Sequence, residues 1–289
     1  MFSRLKALLR RAYAQHRAPE IQRWLEDLRQ TPRAQQPLRL TRFGQKAFSQ
    51  SDEDGMILEV FNRIGAKTRT FVEFGVESGV ECNTALLLMD GWRGLWMDGS
   101  SAHIAAINAR HQRAISTGDL TTRRAFVTAE NIDEMLATWS GGAPAAAVEV
   151  DLLCIDVDGN DFWIWQAIKS ISARVVVIEY NSSYPPPVEF VRKYDAAAQW
   201  DHTNYYGASL SALEKLGDRL GYALVGCSLA GTNAFFVRRD ELTGPDGATR
   251  FHDPYTAQEH YEPPRHALTL LTSGHPPKFG ENASPRSPG

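Results

Sequence analysis

Several features that would send the reading elsewhere are missing or scarce. The chain of 289 residues has three cysteines, Cys82, Cys154 and Cys227. An odd number with no CxxC pair gives no disulfide framework, so reduced, buried thiols in a cytoplasmic protein are expected. No apolar run approaches the ~20 residues that a membrane span needs. The basic start "MFSRLKALLRRAYAQHRAP" has an apolar stretch too short and too interrupted for a secretion signal. Neither sign of charge dominates: 31 Lys and Arg stand against 34 Asp and Glu, a net charge of −3. That balance offers no excess of positive charge for nucleic acid and no acidic tract for a solvating tail.

What is present is ordinary for a globular α/β protein, with 43% hydrophobic and 22% charged residues. The length suits one large domain with appendages. Residues 1–40 read as an N-terminal helical extension, 41–242 as the α/β domain, and 243–289 as an irregular wrap ending in a tail of disordered composition. In the extension Phe2, Leu5, Leu8, Leu9 and Tyr13 recur at helical spacing among Arg4, Lys6, Arg10 and Arg11. Residues 1–13 could touch a membrane surface. Docking on the chain's own domain, or on a second copy in a homo-oligomer, is preferred.

Apolar strand candidates are Thr70–Phe74, Gly94–Met97, Arg124–Thr128, Leu152–Val157, Arg174–Tyr180, Tyr222–Cys227 and Ala234–Arg238. Runs such as "VVVIEY" do not alternate, as expected of parallel strands covered on both faces. Crossover segments separate the first five, whereas only "SLAGTN" separates the last two. The expected fold is therefore a Rossmann-like, doubly wound, seven-stranded sheet: five parallel strands and a C-terminal antiparallel hairpin. "SDEDGMILEVFNRIG" reads as a helix before the first strand, with Ser51 as N-cap and Gly65 as stop.

Ligands of such sheets sit beyond the carboxyl ends of the strands. There the first strand runs into Gly75-Val76-Glu77-Ser78-Gly79-Val80. A dinucleotide fingerprint would place glycine where Glu77 and Val80 stand. A pyrophosphate needs close backbone approach and a positive helix terminus; Glu77 supplies a carboxylate instead, which suits a cation. S-adenosylmethionine, with a sulfonium and an ammonium and no phosphate, is such a ligand. Glu73 would face its ammonium or order the loop. Asp98, followed by Gly99, ends the second strand and suits ribose hydroxyls. Thr128, Ala129 and Glu130 close the third, where an adenine edge would lie.

These segments resemble the FkbM-like branch of class I S-adenosylmethionine-dependent methyltransferases. The resemblance rests on Glu73-Phe74-Gly75, Asn83-Thr84, Gly91-Trp92-Arg93-Gly94 and Asp98. "LLCIDVDGNDFWIWQAI" is similar to the family's D-x-E-G segment, with Asp156 matching and Asp158 where glutamate is usual. "VVVIEYN" resembles its fifth strand. The likeness runs from about Phe43 to Arg239. It implies the fold, the methyl donor held by Glu73, Gly75, Glu77, Gly79, Asn83, Asp98, Gly99, Thr128, Ala129, Glu130 and Asp156, and O-methyl transfer to a sugar, a glycan precursor or another small hydroxyl compound. The rival readings are a nucleotide-dependent sugar oxidoreductase and a non-catalytic, partner-binding domain.

A second acidic group gathers Asp156, Asp158, Asp161, Glu179 and Asn181 at the ends of strands four and five. Crowded carboxylates repel unless protonated or sharing a cation, and hard oxygens suit Mg²⁺. The candidate ligands are Asp156, Glu179 and Asn181, an arrangement that resembles the catechol O-methyltransferase type except that Tyr180 intervenes. Alternatively Asp156 frames the sulfonium pocket, Glu179 caps a network and Asp161 caps the helix "FWIWQAIKSI". Asp158, Asp161 and His202 are the candidate bases for an acceptor hydroxyl. His202 lies in "WDHTNYYGASL", whose aromatic and polar groups suit a polyol; Ser209 would cap the helix that follows. Tyr184 and Pro185–Pro187 would wall the acceptor pocket, and Trp163 and Trp165 would lie in the core.

Overall fold

The computed structural model describes residues 16, 19–141, 147–157, 159–197 and 199–265. The basic segment 1–13, Asp158 and the tail beyond 265 lie outside them. Seven strands form one sheet: β1 (Thr70–Phe74), β2 (Arg93–Asp98), β3 (Leu120–Arg124), β4 (Val148–Ile155), β5 (Ile171–Glu179), β6 (Tyr222–Cys227) and β7 (Asn233–Arg238). Their order is β3-β2-β1-β4-β5-β7-β6. The first five pair in parallel, and β7 runs antiparallel between β5 and β6. This is the Rossmann-like sheet expected from the pattern of apolar runs. Because the chain winds outward from β1 and then returns to β4 beside it, the switch point lies between these two strands.

The helices α1 (Glu53–Ile64), α2 (Ala85–Met89), α3 (Ser101–Arg110), α4 (Gln112–Thr117), α5 (Ile132–Ser140), α6 (Asp161–Ala167) and α7 (Leu210–Arg219) cover the two faces. Alternation along β1 sorts its side chains between them. Val72 and Phe74 join Leu95, Ile155, Leu136, Ile164 and Leu213 in one core. Phe71 joins Trp96, Cys154, Met56, Leu87 and Ile107 in the other. Trp165 is buried in the first core and Trp163 packs partly buried against it. All three cysteines are buried and free. Among the described residues no helix is long and apolar enough to cross a membrane.

Several boundaries differ from the sequence expectation: β4 begins at Val148 rather than Leu152 and β5 at Ile171 rather than Arg174, and β3 and α1 differ as well. Strand β3 begins at Leu120 and ends at Arg124, where it pairs with Asp98. Gly118, at φ +80°, ends α4 and releases the chain directly into this strand. As an edge strand β3 is partly solvated, so it reads Leu-Thr-Thr-Arg-Arg rather than as an apolar run. Helix α1 begins at Glu53 with Asp52, not Ser51, in the N-cap position; the Ser51 hydroxyl instead donates to Asp52 Oδ1 at 3.1 Å. At α7 the Ser209 side chain accepts from the Ala212 N–H, the cap the sequence suggests.

At the amino ends of the strands, the fully buried Arg174 of β5 donates to Asp151 Oδ1 and Glu241 Oε1, both at 2.7 Å. It also donates to the carbonyls of Gly65 (2.7 Å) and Ile64 (3.1 Å). Asp151 in turn accepts the N–H groups of Lys67, Thr68 and Arg69. One guanidinium thus joins the loop entering β1 to β4, β5 and the segment after β7. Arg174→Met would strand Asp151 as a buried charge, and a loss of about 3–5 kcal/mol in urea unfolding is expected. The Arg174 hydrogen bond holds the Glu241 carboxyl down to about 2 from its ordinary 4.5. Its stabilising share is complete above pH 4.5 and disappears as the pH falls toward 2. Acid titration of Glu241→Gln should therefore lack that part of the slope.

Candidate functional site

A cleft of about 1070 Å³ opens at the carboxyl ends of β1 to β5. It is built outward from the turn after β1. Gly75 sits at φ +72°, and a Cβ there would lie 1.6 Å from the Asp156 carbonyl oxygen. Only glycine lets β1 and β4 close to this distance. Glycine at 79, φ +71°, serves packing: its Cβ would crowd Ile107 (2.9 Å) and Trp96 (3.2 Å). Gly79 does not line the cleft, whereas Glu73, Gly75, Glu77 and Asn83 do.

Glu73 shares the face of Phe71, so its carboxylate enters the layer under α1–α3. It accepts the N–H groups of Asn83 (2.8 Å) and Thr84 (3.0 Å) and the Thr84 hydroxyl. Trp96 Nε1 donates to that same hydroxyl at 2.7 Å. Of its two suggested tasks, ordering the loop is the one these contacts perform. Burial nonetheless pushes its carboxyl up to about 7.

Asp98 ends β2 and is nearly buried. Its Oδ2 accepts from Glu77 N (2.9 Å), and its Oδ1 accepts from Ser100 N (2.7 Å) and faces His103 Nδ1 (3.1 Å). A carboxylate offers about four acceptor positions, so part of its capacity is already used in positioning the turn. Gly99 lines the cleft beside it, followed by Ala125, Phe126 and Val127. Phe126 is 49% exposed, an aromatic ring open to the cleft. Thr128, Ala129 and Glu130 do not line it. They form a turn in which Thr128 N donates to Asn131 Oδ1, Ala129 N donates to Tyr194 Oη, and Tyr194 Oη donates to Glu130. The shift follows from β3 ending four residues earlier than expected.

At the other half of the cleft, one carboxylate oxygen each from Asp156, Asp161 and Glu179 lie within 4.8 Å of one another. Asp161, the first residue of α6, is buried and accepts the N–H groups of Val157 (2.9 Å) and Gly159 (3.0 Å). It ties down the loop after β4 rather than capping α6, whose N-cap position is Asn160. Asn181 is turned away from a ligand role. It is buried, its Nδ2 donates to the Asn204 and Tyr206 carbonyls (2.7 and 2.9 Å), and its Oδ1 accepts from Ser183 N. His202 does line the cleft, at φ +63°, with its ring edge-on to Trp200 at 4.6 Å between centroids. Tyr184 stacks on Phe190 outside the cleft wall.

A set of buried acids was not read from the sequence. Asp52, Glu53 and Asp54 are all buried. Glu53 Oε1 accepts from Asn233 Nδ2 (3.0 Å) and Thr232 Oγ1 (3.3 Å), which bring the β6–β7 turn to the cleft. Asp52 accepts Leu229 N, and Asp54 Oδ2 accepts Ala47, Phe48 and Ser49 N. Three consecutive acids in an apolar helix were the available signal. His103, Gln50 and Asn160 also line the cleft.

No protein-family model matches this chain. No curated protein matches it either. Similar solved structures include the magnesium protoporphyrin IX methyltransferase of Synechocystis PCC 6803 with bound SAM, at 11% identity and TM-score 0.39, covering 64% of this chain and 77% of that one. A SAM-dependent methyltransferase of Aquifex aeolicus has 8% identity and TM-score 0.36, covering 62% and 87%. A sarcosine dimethylglycine methyltransferase described as putative, from Galdieria sulphuraria, has 13% identity and TM-score 0.40, covering 60% and 62%. The chain's own strand order defines a Rossmann-like α/β protein.

Gly75→Ala should cost about 2–4 kcal/mol through the backbone clash and the left-handed φ together, measured by urea unfolding. For Glu73 the folded state keeps a proton that the unfolded chain releases between 4.5 and about 7. Stability therefore falls as the pH rises through that window. Wild type should lose more stability than Glu73→Gln between about pH 5 and pH 8.

Proposed function

We propose that the protein is an S-adenosylmethionine-dependent methyltransferase acting on a hydroxyl of a sugar, a glycan precursor or a related small molecule. One observation carries the donor assignment. Among the described residues the cleft wall holds six carboxylates, Glu73, Glu77, Glu81, Asp98, Asp156 and Glu179, and no Lys or Arg. Such a cleft concentrates cations. A dinucleotide would bring a pyrophosphate into it without a positive partner, which disfavours the oxidoreductase reading.

In this reading the ribose hydroxyls use the remaining acceptor capacity of Asp98, and the adenine lies along Phe126 between Ala125 and Val127. The Gly75 turn admits the amino-acid end, and the sulfonium faces Asp156. The acceptor then occupies the half bounded by Asp156, Glu179, Trp200, His202 and Tyr206. Its oxygen attacks the donor methyl carbon in line. The new C–O bond forms as the C–S bond breaks, and the electron pair passes to sulfur, leaving a neutral thioether. The hydroxyl proton goes to a carboxylate of this edge or to the His202 imidazole. The aromatic rings of Trp200 and Tyr206 suit the apolar face of a sugar, and the acids suit its hydroxyls.

Calorimetry should show saturable binding of S-adenosylhomocysteine and none of NAD(H). Asp98→Ala and Phe126→Ala should each weaken that binding at least tenfold, about 1.4 kcal/mol. Mass spectrometry with isotopically labelled donor should place the methyl group on a hydroxyl of a carbohydrate acceptor. Binding of NAD(H) in preference to the thioether would reverse the assignment.

A further inference from the structure

In the donor half of the cleft one residue stands against Asp98 without a task in the reading above. His103 lies in the first turn of α3, and its backbone N–H donates to the Ser100 hydroxyl at 3.3 Å. Its ring Nδ1 faces Asp98 Oδ1 at 3.1 Å. Ser100 N donates to that same oxygen at 2.7 Å, and Glu77 N donates to Asp98 Oδ2 at 2.9 Å. The helix cap therefore places the His103 backbone, and the carboxylate places its ring. A carboxylate only accepts, so this contact assigns the proton to Nδ1. In the neutral imidazole Nε2 is then the acceptor. Nε2 has no hydrogen-bond partner among the described residues, and the side chain, 41% exposed, lines the cleft.

We propose that Asp98 and His103 together receive a free ribose diol, one hydroxyl donating to Asp98 Oδ2 and the other to His103 Nε2. The inference rests on the methyl-transfer reading, which brings an adenosine to this end of the cleft, and it adds to that reading a specificity-determining residue. The acceptor count carries it. A carboxylate offers about four acceptor positions. On Asp98 the N–H groups of Glu77 and Ser100 and the His103 ring already occupy three of them. About one position remains, on Oδ2, whereas a diol brings two hydroxyl donors. The Nε2 lone pair of His103 supplies the second acceptor on the same wall. Its direction is set before binding, because turning the ring away would break the Asp98 contact. The pair also discriminates between sugars. A deoxyribose leaves one buried acceptor unmatched. Phosphorylating either hydroxyl removes a donor and brings a second anion against Asp98.

The test is a double cycle read by calorimetry on full-length protein. S-Adenosylhomocysteine and its 2′-deoxy and 3′-deoxy analogues are titrated into wild type and three variants at position 103. His103→Ala should weaken S-adenosylhomocysteine about three- to tenfold, the usual effect of one hydrogen bond. With one of the two analogues that effect should shrink to less than about twofold, because the hydroxyl that Nε2 serves is already gone. With the other analogue it should persist. His103→Asn keeps a donor near the position of Nδ1 and no acceptor near that of Nε2, so it should bind as His103→Ala does. His103→Gln, whose amide reaches the position of Nε2, should recover part of the loss. Residue 103 keeps its backbone bond to Ser100 in every variant, and circular dichroism establishes that each folds. Glu189→Gln, an exposed acid paired with Lys215, should bind as wild type does. Wild-type affinity in His103→Ala overturns the proposal, as does an equal loss with all three ligands. Full recovery in His103→Asn overturns it too, because the ring would then act through Asp98 alone. Protein that binds S-adenosylhomocysteine and gives any of these results refutes the diol site alone. Protein that binds none of the three thioethers refutes the methyl-transfer reading, and this inference with it.

Discussion

The Asp156 carbonyl oxygen occupies the space in which a side chain at position 75 would begin. This contact sets the seam between β1 and β4, where the sheet's winding reverses. Backbone replaces side chain at that point, so the turn after β1 can fold across the top of the sheet. The Glu73 carboxylate then fastens the turn from below through the N–H groups of Asn83 and Thr84. Asp98 fastens it from the side through Glu77 N. Two carboxylates that look like ligand contacts in the sequence therefore build the loop after β1.

That arrangement has an electrostatic consequence. Carboxyl groups engaged by backbone N–H groups have their positions set before anything binds. The cleft is thus a preorganised acidic surface, and Asp52, Glu53 and Asp54 hold segments around it from within the protein. Glu53 reaches the β6–β7 turn and joins the antiparallel end of the sheet to the parallel end. Burial and the adjacent Glu53 push the Asp52 carboxyl up to about 7, and burial does the same to Glu73. These two buried carboxyls therefore gain charge as the pH rises through neutrality, the direction that opposes the stability of the fold.

The two halves of the cleft are built differently. The half beside β1, β2 and β3 is shaped by turns with little freedom, at Gly75, Asp98 and the segment 125–127. The half beside β4 and β5 is shaped by a loop, 199–206, whose Trp200, His202 and Tyr206 reach across the strand ends.

The sequence by itself determined the sheet. Buried parallel strands are covered on both faces and must be apolar, so β1, β2, β4 and β5 announced themselves, and the short link between β6 and β7 left only a hairpin. That Glu73, Gly75, Glu77, Asn83 and Asp98 meet at the turn after β1 was legible because this turn is local, its partners lying within about 25 positions of one another. Tertiary structure alone decided the rest. The edge strand β3, half-solvated, carries no apolar signature, so its true end and the exposure of Phe126 were hidden. Asn181 and Asp161 are a candidate ligand and a candidate base by type and neighbourhood, yet carbonyls at 204 and 206 claim the first, and N–H groups at 157 and 159 engage the second. Hydrogen-bonding capacity belongs to the residue, but which partner uses it depends on segments distant in the chain, and only folding brings those together.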